Sequence, residues 1–204
     1  MAAVEKIPVI TISRQYGAGG RTIAKALSQS FDIPWYDRDF VARTAASSGY
    51  SEEDIQREGE QLSAGGRFWN SVLNNSAAYA SSHDGIFQAQ KKVILDLAGS
   101  PCIIVGRCGD FILADEPNII RIYIYAPYEA RLEHCLHDLN LDEDTAKKMM
   151  KSVDEARDHY HMHYAGFLPN DQRFKEIMID SSMLGIEGTA DYLVDAVIKR
   201  FELD

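Results

Sequence analysis

Residues 9–22 read Val-Ile-Thr-Ile-Ser-Arg-Gln-Tyr-Gly-Ala-Gly-Gly-Arg-Thr. A short β-branched run meets a glycine cluster, and a helix-compatible segment, Ile23-Ala24-Lys25-Ala26-Leu27, follows at once. This order is how a parallel sheet presents a phosphate site. A buried strand ends, glycines turn backbone N–H groups inward, and a helix N-terminus adds partial positive charge. A phosphate loop of the G-x-x-x-x-G-K-[ST] kind carries a lysine. In the frame that keeps Gly17-Ala18-Gly19 in place, Gly20 stands at the lysine position, with Arg21 and Thr22 behind it. The dinucleotide pattern G-x-G-x-x-G fails too, because Thr22 takes its last glycine. The stretch predicts a phosphate-binding turn without the lysine; the plainer alternative is a tight strand-to-helix turn that binds nothing. Thr22 either meets a magnesium–phosphate complex or caps the helix.

Working outward, the chain alternates strands and helices. Val9–Ser13, Cys102–Val105, Ile119–Tyr125 and Ile177–Asp180 read as buried strands. Thr22–Phe31, Ile86–Ala98, Tyr128–Leu139, Asp142–His159 and Glu187–Phe201 read as helices. The alternation predicts an α/β sandwich with a mostly parallel sheet. Ser47–Asn75 is turn-rich around an acidic centre, and Asn74–Gly85 reads as a polar loop or mobile turn. With 204 residues and no internal repeat, one domain with a helical insertion is expected.

Composition narrows the function classes. The net charge of −10 argues against a general nucleic-acid binder, which needs a basic surface, but leaves room for a nucleotide held by a few arginines. Three cysteines, Cys102, Cys108 and Cys135, form no C-x-x-C pair, which suits reduced thiols. No signal-peptide pattern or membrane-length apolar span is seen, so a cytoplasmic location is expected, with no membrane partner.

Four pieces carry candidate chemistry. The first is the glycine turn. The second is Trp35-Tyr36-Asp37-Arg38-Asp39, a strand-like end carrying charge, with Arg43 beyond it; a surface salt-bridge cluster is the competing reading. The third is Ile103-Ile104-Val105-Gly106-Arg107, where a guanidinium at a buried strand's carboxyl end offers a planar fork for phosphate or carboxylate. The fourth is the segment holding Lys147, Lys151, Asp154 and Arg157, spaced to share roughly one helix face. It is either a basic flap over phosphates or a solvated side. His159, His161 and His163 alternate, but in a helix they point apart, and no companion ligand completes a metal site.

Together, Ile12-Ser13-Arg14-Gln15-Tyr16-Gly17-Ala18-Gly19-Gly20-Arg21, Pro34-Trp35-Tyr36-Asp37, Ile104-Val105-Gly106-Arg107, Asp154-Glu155-Ala156-Arg157 and Ile179-Asp180-Ser181-Ser182 resemble the cytidylate-kinase-like family, a branch of the P-loop nucleoside monophosphate kinases. The resemblance implies a P-loop NTPase-like three-layer α/β sandwich over residues 1–204. Its core would be 1–44, 91–149 and 166–204, with a helical acceptor-site insertion at about 45–90 and a lid at about 150–165. It implies ATP as co-substrate, Mg2+ as cofactor with Thr22 beside it, and a pyrimidine monophosphate, CMP or dCMP, as acceptor. Small-molecule nucleotides are then the partners; whether the chain forms a homo-oligomer is left open by the sequence. Tyr16, Gly17, Ala18, Gly19, Gly20, Arg21 and Thr22 would hold ATP. Asp37, Arg38, Arg43, Arg107, Asp154 and Arg157 would hold the acceptor. Arg21, Arg14, Arg107 and Arg157 are the expected transfer residues, making up the charge of the absent lysine, with Lys25 a weaker candidate. Two departures stand out: Gly20 replaces the lysine, and Val105 stands where the family has an aspartate before Gly-Arg. Two other readings stay open, a kinase for another small acceptor and a non-catalytic nucleotide- or anion-binding protein.

Overall fold

The computed structural model describes residues 7–37 and 77–203, with side chains in the helix that begins at Ala77 described from Gly85 onward. Arg38, Arg43 and residues 45–76 of the expected insertion lie outside the described residues. In chain order the elements are β1 (Val9–Arg14), α1 (Gly20–Phe31), β2 (Trp35–Tyr36), α2 (Ala77–Leu97), β3 (Ile103–Val105), α3 (Gly109–Ile112) and β4 (Ile119–Tyr125). Then come α4 (Tyr128–His137), α5 (Glu143–Ala165), a 3-10 turn (Gln172–Phe174), β5 (Ile177–Asp180) and α6 (Gly185–Phe201).

The five strands form one parallel sheet in the order β2-β3-β1-β4-β5. Strand alternation sorts side chains to two faces. Ile10 and Ile12 of β1, Ile103 and Val105 of β3, and Ile120, Ile122 and Ile124 of β4 pack with Ile23 and Leu27 of α1 and Leu193 and Val197 of α6. Val9, Ile104 and Cys102 turn the other way, onto Val93 and Ile94 of α2 and Leu113. Both faces are covered, which is why the strands read as near-continuous apolar runs. Because all strands run the same way, β1, β2, β3 and β5 deliver their carboxyl ends to one edge, where open α/β sheets hold ligands.

Two helices differ from the sequence expectation. Residues 77–85, expected as a loop, are the start of α2. Alanine is the best helix former, and a short Ala/Ser lead joined to an amphipathic helix adds turns without a new nucleus. Helix α5 runs unbroken from 143 to 165, so the expected lid interval is the larger part of one helix. Asp142 caps it by accepting the Thr145 N–H at 2.9 Å, and Gly166 ends it at φ +78°. No helix among the described residues is long and apolar enough to cross a membrane.

Candidate active site

The cavity at the strands' carboxyl edge has a volume of about 510 Å³. Its wall includes Arg14, Tyr16, Gly17, Gly19, Gly20, Arg21 and Thr22 from the glycine turn, Asp37 after β2, Val105, Gly106 and Arg107 after β3, and Arg157 from α5. The residues nominated at four separate places in the sequence therefore border one space. Ala18 and Asp154 are not on that wall: Ala18 is buried beneath the turn, and Asp154 faces the turn's backbone.

Gly17 and Gly19 have φ of +78° and +72°, a region that favours glycine. Both also meet close neighbours. A Cβ on Gly17 would lie 2.8 Å from the Arg131 carbonyl oxygen, and one on Gly19 2.7 Å from the Ile186 side chain. Gly19 is the N-cap of α1 and provides no side-chain cap. Thr22 is the third helical residue and exposed, so it does not occupy the capping position.

Around the turn, Tyr16 is held by both of its backbone polar groups. Its N–H donates to Asp154 Oδ1 at 2.7 Å, and its carbonyl accepts from Arg131 Nη1 at 3.2 Å. Arg131 Nη1 also lies 2.6 Å from Asp154 Oδ2. Gln15 Oε1 accepts from Ala126 N–H at 3.2 Å, and the Ser181 hydroxyl donates to Ala18 O at 2.9 Å. Helices α4 and α5 and the ends of β4 and β5 thus fix the turn's shape. Arg157 joins them: its Nη1 donates to Arg14 O at 3.0 Å, and its guanidinium lies 6.0 Å from the Tyr16 ring centre.

Arg107 sits in a run of left-handed backbone, Gly106 at φ +79°, Arg107 at +56° and Cys108 at +53°. Two consecutive non-glycine residues in that region cost on the order of 1–2 kcal/mol each, a strain found where geometry serves a site. The guanidinium lies 5.0 Å over the Tyr160 ring and donates to Gln90 Oε1 at 3.4 Å, and Gln90 Oε1 also accepts from Tyr160 Oη at 3.0 Å. Arg21 stays on the same cavity wall, beside Asp37. Its guanidinium pairs with Asp37, and its side chain is 60% exposed.

The expected stripe on α5 divides. Lys147 pairs with Glu143 and Lys151 lies near Glu155, both on the solvated side, while Asp154 and Arg157 face the turn. Lys151 and Arg157 lie about 120° apart around the helix, whereas Lys147 and Asp154 are only about 20° apart but about 10 Å apart along it, so rise as well as rotation separates the two sets. The three histidines also separate: His159 and His163 are exposed and His161 is buried.

Sequence reasoning missed a buried charged group beside the cavity. His161 Nε2 lies 3.0 and 3.1 Å from the two Asp110 oxygens, Lys175 Nζ pairs with the same carboxylate, and His161 Nδ1 donates to Phe167 O at 2.7 Å. Burial works against the charged carboxylate, but the hydrogen bonds and charges of His161 and Lys175 outweigh it and hold Asp110 below the ordinary carboxylate range. Only the His161 position carried a hint, as part of the alternating histidines. Arg131 and Gln90 gave none, since their partners are distant in the chain.

The arrangement fits a polyphosphate with a hard divalent cation. The uncapped start of α1 and several guanidiniums border one cavity, a combination suited to a polyphosphate, and the Thr22 hydroxyl on the same wall is the kind of oxygen magnesium takes alongside phosphate oxygens and water. A sequence model of the cytidylate kinase-like family matches residues 9–183. The chain belongs to that family. No curated protein sequence matches it. Among solved structures, an uncharacterized protein from Eubacterium ventriosum ATCC 27560 is similar at TM-score 0.70 and 24% identity, covering 93% of this chain and 98% of that one. A gluconokinase from Sinorhizobium meliloti 1021 is similar at TM-score 0.54 and 10% identity, over 96% and 94% of the two chains. A shikimate kinase from Acinetobacter baumannii in complex with shikimate follows at TM-score 0.52 and 15% identity, over 98% and 97%. The shared fold is that of the P-loop kinases, as the family membership leads one to expect.

Proposed function

We propose that this family member is a phosphotransferase that moves the γ-phosphoryl group of ATP, with Mg2+, to a pyrimidine nucleoside monophosphate, CMP or dCMP. The observation that carries the reading is the meeting of Arg14, Arg107 and Arg157 with the uncapped α1 N-terminus on one cavity wall. Phosphoryl transfer asks for positioning and charge neutralisation rather than covalent chemistry by the protein, and these groups supply both. In this reading the turn at Gly17–Thr22 holds the donor phosphates, and Asp37 and Arg107 bound the acceptor side. Asp154 acts through the Tyr16 backbone rather than on the acceptor. Arg157, already on the Arg14 carbonyl, reaches the phosphates from α5, and closure of that side excludes water. The protein acts in the cytoplasm on small nucleotides.

The test is ADP formation with ATP, Mg2+ and a panel of acceptors headed by CMP and dCMP, for wild type, Arg107→Ala and Arg157→Ala. Turnover that requires CMP or dCMP and falls by at least about tenfold in either variant supports the reading. Absence of acceptor-dependent ADP across the panel refutes it. The engagement of Arg21 by Asp37 favours a second reading, a nucleotide-binding protein without transfer. ATP binding by calorimetry with no turnover on any acceptor selects that alternative.

A further inference from the structure

The position that a lysine occupies in ordinary phosphate loops is Gly20 here, and Gly20 is the first residue of α1. Its φ is not in the left-handed region, unlike those of Gly17 and Gly19, so its backbone does not require glycine. Alanine is the better residue inside a helix by roughly 1 kcal/mol. What requires glycine is a neighbour. A Cβ at Gly20 would lie 2.8 Å from Arg14 Cγ and 2.9 Å from Arg14 Cβ, the stiff near end of that side chain. The far end of the same arginine runs to the β3 turn, where a Cβ at Gly106 would lie 2.6 Å from Arg14 Nη1. Arg14 therefore crosses from the end of β1, beneath the start of α1, to the Gly106 backbone, through space that two glycines leave open.

The course of Arg14 follows from strand parity. Ile10 and Ile12 face α1, and Arg14 is the next residue on that side. At the strand's end the same direction brings it up under the helix N-terminus, onto the cavity wall. Arg21 projects about 100° around the helix from residue 20 and pairs with Asp37.

We infer that Arg14 and Gly20 form a reciprocal exchange: the cation of the phosphate turn is provided from position 14 at the strand end, and position 20 is glycine because the arginine stem fills the place of the usual lysine. The anion recognised is the β/γ-phosphate portion of a nucleoside triphosphate. The inference rests on the nucleotide-binding reading for its ligand, but the steric coupling of the two positions does not.

A double-substitution cycle tests it in two ways. Binding of a non-hydrolysable ATP analogue and of inorganic triphosphate is measured by calorimetry for wild type, Arg14→Gly, Gly20→Lys and Arg14→Gly/Gly20→Lys. Losing Arg14 should weaken both ligands by about 10- to 100-fold, as expected for a charge-assisted contact. Gly20→Lys alone should not strengthen binding, and the double variant should recover most of what Arg14→Gly lost. Arg14→Lys should retain more affinity than Arg14→Gly. The second measurement needs no ligand. Gly20→Ala should lower the melting temperature in the wild-type background and raise or leave it unchanged with Arg14→Gly. Additive effects in both cycles, or Gly20→Lys binding triphosphate more tightly than wild type with Arg14 present, would overturn the exchange. A wild-type protein that binds neither ligand refutes the nucleotide reading, while the melting cycle still decides the steric coupling.

Discussion

Replacing Asp110 by asparagine should destabilise the protein sharply, although the change is nearly isosteric and lies outside the phosphate turn. The Asp110 side chain is 2% exposed and that of Lys175 is fully buried, so water screens neither. The carboxylate takes His161 Nε2 on both oxygens and Lys175 Nζ on one. Asparagine can accept one of these donors, but it removes the only carboxylate among the described side chains shown pairing with Lys175. Leaving one buried charge without its partner costs about 3–5 kcal/mol. For a chain of this size that is a fall in melting temperature of about 6–20 °C. Circular dichroism melts and urea titrations of wild type, Asp110→Asn, Lys175→Met and the double variant measure it. The double variant should recover most of the loss, because an apolar replacement of a buried pair is often neutral. If Asp110→Asn stays within about 1 kcal/mol of wild type, or the double variant is no better than either single one, the buried Asp110–Lys175 pair does not stabilise the fold in this way and the reasoning fails.

The same carboxylate sets an acid limb. Its folded pKa lies below the ordinary value, so its contribution is complete above about pH 3.9 and is lost as pH falls through the lower folded value. The difference in unfolding free energy between wild type and Asp110→Asn should therefore shrink below about pH 4; a pH-independent difference counts against the shift. Asp154→Ala should speed amide hydrogen exchange at Tyr16, which loses its acceptor, by about 10-fold or more, and Asp154→Asn should restore part of the protection; equal exchange in all three proteins rejects the backbone clamp. Gly17→Ala combines φ +78° with a Cβ 2.8 Å from the Arg131 carbonyl oxygen, and should cost about 2–4 kcal/mol in denaturant titration. A loss under about 0.5 kcal/mol would mean that α4 gives way freely.

Local pattern carried the sheet well. The ends of β4 and β5 fall where the β-branched runs end, and the glycine turn lies between β1 and α1 as its composition predicts. Patterning failed where the deciding contact is remote. The start of α2 had no apolar period to mark it, so residues 77–85 read as a loop. Asp154 and Arg157 share a lysine-bearing stripe in sequence, and only the approach of Tyr16 and Arg14, more than a hundred residues earlier, separates their role from that of Lys147. Nothing in the sequence near Asp110 or Lys175 announces the partner, 65 residues away, that allows each to be buried.

The arginines of the glycine turn show how far such reading can go. Arg21 stands next to the vacant position and is one of the four arginines expected to make up the charge of the missing lysine. Adjacency along a helix is a poor guide to direction, however, since neighbouring residues diverge by about 100°. Parity along a strand is a better one, since it holds to the last residue of the ladder. Arg14 pairs in register with Ile124 as the end of β1, so it inherits the face of Ile10 and Ile12, which is the face α1 covers. A large cation arriving there from below needs the helix to begin with a residue that has no side chain, and Gly20 is that residue. The glycine that looked like a lost lysine is then the space the arginine requires. Val105 fits the same economy: it is buried in the core at the end of β3, leaving Gly106 to receive the guanidinium and Arg107 to face Gln90 and Tyr160. Val105 and Arg14 border the same cavity, so replacing Val105 by aspartate would add a carboxylate to that wall and reduce the net positive charge offered to a phosphate.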